Sequence, residues 1–228
     1  MVATVRGLPA TASSPNGRAC STSQCTDGEL MSGRDERDRE QDVYRATVGE
    51  AVPHDAPVYL SPYDPAWPRR YAVEADTIRA ALGDGVLRLE HVGSTSVPGL
   101  VAKPIIDILL VIAEPADEAA YVPALEQTGY VLRIREPDWY QHRVLKRVET
   151  AVHLHVFGPG GTQEIDRMIR FRDRLRSDPA DRERYAQTKI RLAARTWRHV
   201  QFYADAKTEV IENILRAAED ASCDGPLT

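Results

Sequence analysis

The stretch Glu90-His91-Val92-Gly93-Ser94-Thr95-Ser96-Val97-Pro98-Gly99-Leu100-Val101-Ala102-Lys103-Pro104-Ile105-Ile106-Asp107-Ile108 decides how this chain is read. An apolar run (Val86, Leu87, Leu89, Val92) stops at Gly93-Ser94. A loop of small residues follows, and a second apolar run then carries a single acid, Asp107. Around that acid stand Ile105, Ile106, Ile108, Leu109, Leu110, Val111 and Ile112. Backbone amides and hydroxyls of a Gly/Ser/Thr loop can cradle phosphate oxygens. A carboxylate on the neighbouring strand can hold a divalent ion against them. A tight turn between strands is the plain alternative for the loop, and a buried salt bridge the alternative for Asp107. The loop is not a Walker A motif, because Lys103 does not directly follow Gly99. Nor does it have the Gly-x-Ser-x-Gly spacing of a hydrolase elbow.

Other blocks flank this stretch. Upstream lies Ser61-Pro62-Tyr63-Asp64-Pro65-Ala66-Trp67-Pro68. Downstream come His153-Leu154-His155-Val156-Phe157, Phe171-Arg172-Asp173-Arg174-Leu175-Arg176, and the spaced set Tyr185, Lys189, Tyr203, Lys207. In wording and order they resemble the GrpB (UPF0157) family from about residue 58 to 221, and the fold of that family looks like the nucleotidyltransferase superfamily. The resemblance implies an α/β fold, a mixed sheet flanked by helices with a C-terminal helical segment. It implies phosphate binding by Gly93, Ser94, Thr95, Ser96 and Lys103, and a metal, Mg²⁺, on Asp107. Superfamily members carry a second acid two residues after the first, on the same strand face. This chain has Leu109 there, which departs from a two-metal clamp. Domains of this type also occur fused to dephospho-CoA kinase.

His153 and His155 lie two apart on an expected strand and so share one face. Paired imidazoles suit metal ligation, phosphate donation or general-base work near neutral pH; a packed, hydrogen-bonded pair is the bland alternative. His91 falls on the face of Gly93. Lys103 reaches phosphate or caps a surface loop. Arg172, Arg176 and Lys189 fall on expected helices and are candidates to meet a triphosphate. Trp67, Trp139 and Trp197 read as core or rim.

The chain has 228 residues, 43% hydrophobic and 28% charged, which suits one domain with a sizeable core. A formal charge of -5 argues against general nucleic-acid binding. Residues 163–198 nevertheless hold eleven Lys/Arg against six Asp/Glu, either a solvated helix face or a basic wall toward polyphosphate. Cys20, Cys25 and Cys223 sit in the terminal stretches, away from His at metal-ligand spacing. No run approaches the ~20 apolar residues of a membrane span, and no signal-peptide core is visible, so a cytoplasmic location is expected.

Residues 1–56, rich in Ser, Thr, Gly and Pro and then in charge, are expected to be disordered, with Met31 a candidate true start. Residues 57–221 form the expected domain and 222–228 a tail. Apolar periodicity predicts helices over 67–82, 117–128, 163–177, 179–198 and 204–221. It predicts strands over 86–92, 104–112, 130–135, 141–148 and 151–157. The functional expectation is a nucleotidyltransferase-type enzyme. It would pass a nucleotidyl group, or alternatively a phosphoryl group, from a Mg²⁺-nucleoside triphosphate to a small-molecule acceptor. Asp107, His153 and His155 would be the catalytic set. The rival expectation is a non-catalytic nucleotide-binding or chaperone-like accessory module.

Overall fold

The computed structural model describes residues 33–223. The β-branched and leucine-rich runs form one mixed five-stranded sheet: β1 (Arg88–Val92), β2 (Ile106–Val111), β3 (Val131–Glu136), β4 (His142–Arg147) and β5 (Val152–Phe157). Their order is β1-β2-β5-β4-β3. Only β2 and β5 are parallel; the other neighbours are antiparallel. Every residue of β2 and β5 is buried, as expected of central strands covered on both faces.

One face of the sheet meets α2 (Trp67–Leu82) and the short α3 (Val122–Glu126). Ile106, Ile108 and Leu110 of β2 and Val152, Leu154 and Val156 of β5 pack there with Trp67, Ile78 and Tyr130. The helix α2 has the predicted bounds. It ends where Gly83 adopts φ 52°, with its N–H on the Arg79 carbonyl. The opposite face carries the alternate residues Leu109, Val111 and Phe157, packed on Ile165 and Met168 of α4 (Thr162–Ser177). Beyond that contact, α4, α5 (Pro179–Ala193) and α7 (Thr208–Cys223) bury Phe171, Leu175, Tyr185, Ile211 and Ile214 against Val97 and Leu100. Asp178 caps α5, accepting from the amides of Ala180 and Asp181.

Three expectations fail for identifiable reasons. The 117–128 helix is broken into a 3₁₀ turn and α3, with Pro123 in the first turn of α3; proline cannot continue a preceding helical ladder. The 179–198 helix stops at Ala193. There the chain turns to pair Trp197 with Ala56, and the Trp197 indole donates to the Leu192 carbonyl. A separate helix, α6 (Val200–Asp205), follows.

The third correction concerns the stretch expected to be disordered up to residue 56. Residues 1–32, Met31 among them, lie outside the described residues. From residue 33 on the chain forms α1 (Gly33–Ala46) and then a strap. Thr47 bridges Ile134, Val48 donates to the Arg133 carbonyl, and His54 donates to the Arg198 carbonyl. Glu40 bonds His199, and Arg39 bonds Asp205. The strap covers the open edge of β3, which satisfies backbone groups that composition alone does not reveal. No helix among the described residues is long and apolar enough to cross a membrane.

Candidate functional site

The site begins as one row across the sheet. Strand register places Val92 of β1, Asp107 of β2, His153 of β5 and Lys146 of β4 side by side. Alternation puts His155 on the same face as His153 and Leu109 on the same face as Asp107. Asp107 Oδ1 lies 3.5 Å from His153 Nδ1 and 3.7 Å from His155 Nε2. Those separations are long for hydrogen bonds. Both imidazole nitrogens are buried without a hydrogen-bond partner among the described residues.

The small-residue loop closes over this carboxylate as a 3₁₀ turn, Ser94–Ser96. Gly93 enters it at φ 67°, and a Cβ there would strike the Oδ2, Cβ and Cγ atoms of Asp107. Only glycine lets the two strands bring loop and acid this close. The turn is wired from within. Ser96 Oγ donates to the Gly93 carbonyl at 2.6 Å, and Thr95 Oγ1 donates to the Ile105 carbonyl at 3.1 Å. The Thr95 hydroxyl hydrogen being spent, His91 Nε2 donates to Thr95 Oγ1 at 3.1 Å, its ring stacked on Tyr71.

Helices supply the opposite wall. Asp107, Ser94, Thr95 and Lys103 share a cleft with Lys189, Tyr203 and Lys207. Lys189 comes from α5, donating to the Val101 carbonyl at 2.5 Å, and Lys207 sits between α6 and α7 with its ammonium 4.5 Å from the Tyr203 ring centre. Both lysines are almost wholly buried, at 2% and 4% exposure. Burial, with Lys207 nearby, holds the Lys189 ammonium well below its ordinary pKa; burial pushes Lys207 down to about 8. Lys103 and Lys146 are lowered too, first by desolvation. The Tyr203 hydroxyl is also buried without a partner among the described residues.

Burial works to raise the Asp107 carboxyl, and its positive and polar neighbours, His153 and His155 among them, more than offset this and keep it ionised. Burial pushes His153 down to about 3 and His91 to about 4 against the pull of Asp107, so both are neutral at neutral pH. The cleft thus sets several lysines around one carboxylate. Lysines crowded in a desolvated space favour an anionic ligand, whose charge would restore what burial costs them.

As for a metal, no cluster of three or more His, Cys, Asp or Glu side chains stands ready to cage an ion among the described residues. Leu109, in place of a second acid, is fully buried in the apolar contact with α4. The residues fit an ion held by the Asp107 carboxylate and completed by phosphate and water oxygens, the habit of Mg²⁺. They do not fit a two-ion clamp.

Gly93, Ser94, Thr95, Lys103, Asp107, His153, His155 and Lys189 therefore come together, with Ser96 bracing the turn. Arg172 and Arg176 do not join them. Arg172 clamps Glu90, the His91 carbonyl and Asp173, and Arg176 holds the Ser96 carbonyl from outside the loop. Both support the turn and neither lines the cleft. Trp67 is core, Trp139 packs on His142 and Phe157, and Trp197 lies against Tyr203. Lys207 and Tyr203 were not singled out as site residues. Their signal was a repeated spacing, a tyrosine four residues before a lysine, in both Tyr185/Lys189 and Tyr203/Lys207. Lys146 and His142 were visible only through strand register.

A model of the GrpB protein family matches residues 57–217. The chain belongs to the GrpB family. It is 55% identical over 179 residues to a UPF0157 protein of Halalkalibacterium halodurans, covering 78% of this chain and 91% of that one. The crystal structure of conserved protein GrpB from Enterococcus faecalis superposes with a TM-score of 0.61 at 31% identity, over 73% of this chain and 100% of that one. A dephospho-CoA kinase of Mycolicibacterium paratuberculosis is 30% identical over 193 residues, 72% of this chain but only 47% of that protein. The matched region takes in every cleft residue named above.

Proposed function

We propose that this GrpB-family cleft binds a nucleoside triphosphate with Mg²⁺ and transfers its nucleotidyl group to a small-molecule acceptor. Phosphoryl transfer is the alternative outcome at the same site. The observation that carries the reading is the cluster of half-buried Lys103 with buried Lys189 and Lys207, which shares one cleft with the Ser94-Thr95 turn and Asp107. The turn would offer backbone amides and the Ser94 hydroxyl to phosphate oxygens, and the three ammonium groups would neutralise the pyrophosphate as it leaves. Asp107 would hold the divalent ion, which supplies charge neutralisation at the reacting phosphate. His153, held neutral by burial, or His155 beside it would take the proton from the acceptor hydroxyl. The similarity to about half of a dephospho-CoA kinase agrees with nucleotide-related chemistry.

Leu109 favours a second reading, a non-catalytic nucleotide-binding or chaperone-like accessory module, because it stands where a second strand acid is expected. A thermal-shift screen of the four nucleoside triphosphates, with and without Mg²⁺, tests the binding both readings require. At least one Mg²⁺-nucleotide should raise the melting temperature, and Ser94→Ala combined with Lys103→Ala should abolish the rise while the fold survives. An unchanged rise in the double variant rejects the phosphate cleft. Nucleotide binding with no turnover on any acceptor favours the accessory module.

A further inference from the structure

The row that carries Asp107 does not end at the histidines. It runs from Val92, Asp107 and His153, all buried, to half-buried Lys146 of β4 and then to Val131 of β3, 43% exposed. The row therefore reaches solvent over β4 and β3, two strands away from Asp107. A bulge shapes this outer end. Leu132 faces Leu145 and Ile134 faces Val144, so Arg133 is an extra residue with no partner across the ladder. Such an insertion breaks the alternation and re-aims a side chain. Leu132 and Leu145 point into the core on the α2 side. Arg133, next along the strand, falls on the opposite face, that of Lys146.

These cations crowd one another. The Lys146 ammonium feels Lys103 and Arg133 as like charges and Asp107 as the attracting one. None of the three has a hydrogen-bonded or ion-pair partner for its side chain among the described residues. For Arg133, which is exposed, that is ordinary. For Lys146 and Lys103, both half-buried, it leaves ammonium groups that have lost part of their water and gained no acceptor. An anion set among them would offset the desolvation and the mutual repulsion together. Arg133 Nη1 also lies against Gly49 of the strap, 3.5 Å from where a Cβ would stand. Gly49 precedes residue 57, where the GrpB family match begins, so this outer end is built in part by a segment outside the matched region.

We propose that Lys146 and Arg133 form a second anion subsite, separate from the Lys189–Lys207 end of the cleft. The ligand it takes is the acceptor, a small hydroxyl compound that carries a phosphate or carboxylate group. Neighbouring strands stand about 4.8 Å apart, so Lys146 on β4 is roughly 10 Å from Asp107 on β2. A molecule of a few carbon atoms spans that distance, with its anionic group on Lys146 and Arg133 and its hydroxyl toward His153 and Asp107. Lys103 lines the cleft and is also felt by Lys146, so it joins the two ends. Naming this ligand the acceptor rests on the transfer reading above; the subsite itself does not.

The test follows backbone amide shifts of the ¹⁵N-labelled full chain, at constant ionic strength, during titration with glycerol 3-phosphate, glycerate or glycerol. At least one of the two anions should move the amides of residues 131–134, 146 and 153, and uncharged glycerol should not. A response to glycerol 3-phosphate alone makes the recognised group a phosphate, and a response to glycerate alone makes it a carboxylate. Lys146→Gln should weaken that binding at least about tenfold, the loss of one charged hydrogen bond. Arg133→Gln, at an exposed side chain, should weaken it too and keeps the test open if Lys146→Gln does not fold. Four results overturn the proposal: no shifts, shifts confined to residues 94–96, 189 and 207, equal shifts with glycerol, or an affinity unmoved in whichever variant folds. A Mg²⁺-nucleoside triphosphate added to the same sample should move residues 94–96, 189 and 207. Its failure to bind counts against the transfer reading and leaves the subsite standing. Nucleotide binding with no anion response at 131–134 and 146 sinks the subsite alone.

Discussion

Gly93 is the residue on which the geometry of the cleft turns, because its missing side chain is what lets the loop rest on Asp107. Gly93→Ala must place a methyl against the carboxylate at a φ of 67°. Backbone strain of this kind costs about 2 kcal/mol before the clash is counted. For a chain of this size that is a fall in melting temperature of roughly 4–8 °C, measurable by calorimetry. A variant that melts with the parent would show that the loop relaxes away from the acid at no cost. Asp107 and the histidine pair were visible as candidates from sequence because an acid in an aliphatic run and two imidazoles on one strand face are local patterns. Their partners were not. Lys146 reaches the row only through pairing of β4 with β5, and His142 meets His155 across the same pair. No spacing within the chain encodes a register between strands.

At the scale of elements, β1, the 3₁₀ turn and β2 form a rigid bracket, and Arg172 of α4 ties it down by bonding Glu90 and the His91 carbonyl. The strap before residue 57 plays a comparable part at the other edge. A chain beginning at residue 57 loses the Thr47 bridge on β3, the Ala56 bridge to Trp197 and the bonds of Glu40 to Arg198 and His199. It should melt several degrees below the full chain; equal melting temperatures would show that the strap adds no stability to the sheet edge. The periodic elements of the sheet, α2 and α4 were readable to within two residues, since each buries a continuous face. The strap was not readable because its charged, Pro-containing composition buries little apolar surface and it is held by backbone hydrogen bonds to partners far along the chain. The end of α5 was misplaced for the same reason, since Trp197 leaves the helical path to pair with the strap.

The whole molecule carries three histidines whose charging is opposed by burial: His91 and His142, each pushed to about 4, and His153, pushed to about 3. Unfolded, each would take up a proton near its ordinary value of 6.5. As pH falls from 6.5 toward 4 the unfolded chain therefore binds more protons than the folded one, and stability must drop, by up to ~1.4 kcal/mol per pH unit for each histidine. Urea midpoints measured across that window should fall steadily; midpoints that stay flat or rise would show that these imidazoles are not held neutral. The same burial makes the lysine-lined cleft costly without an anion, and Asp107 is the carboxylate that lines it among the described residues. Titration calorimetry with a Mg²⁺-nucleoside triphosphate on the parent and on Asp107→Asn decides whether that acid serves a ligand. Binding to the parent should depend on Mg²⁺, and the variant, still folded, should bind at least about tenfold more weakly, ~1.4 kcal/mol or more. An Asp107→Asn protein that binds Mg²⁺-nucleotide as tightly as the parent would make the acid structural and contradict the nucleotide–metal cleft.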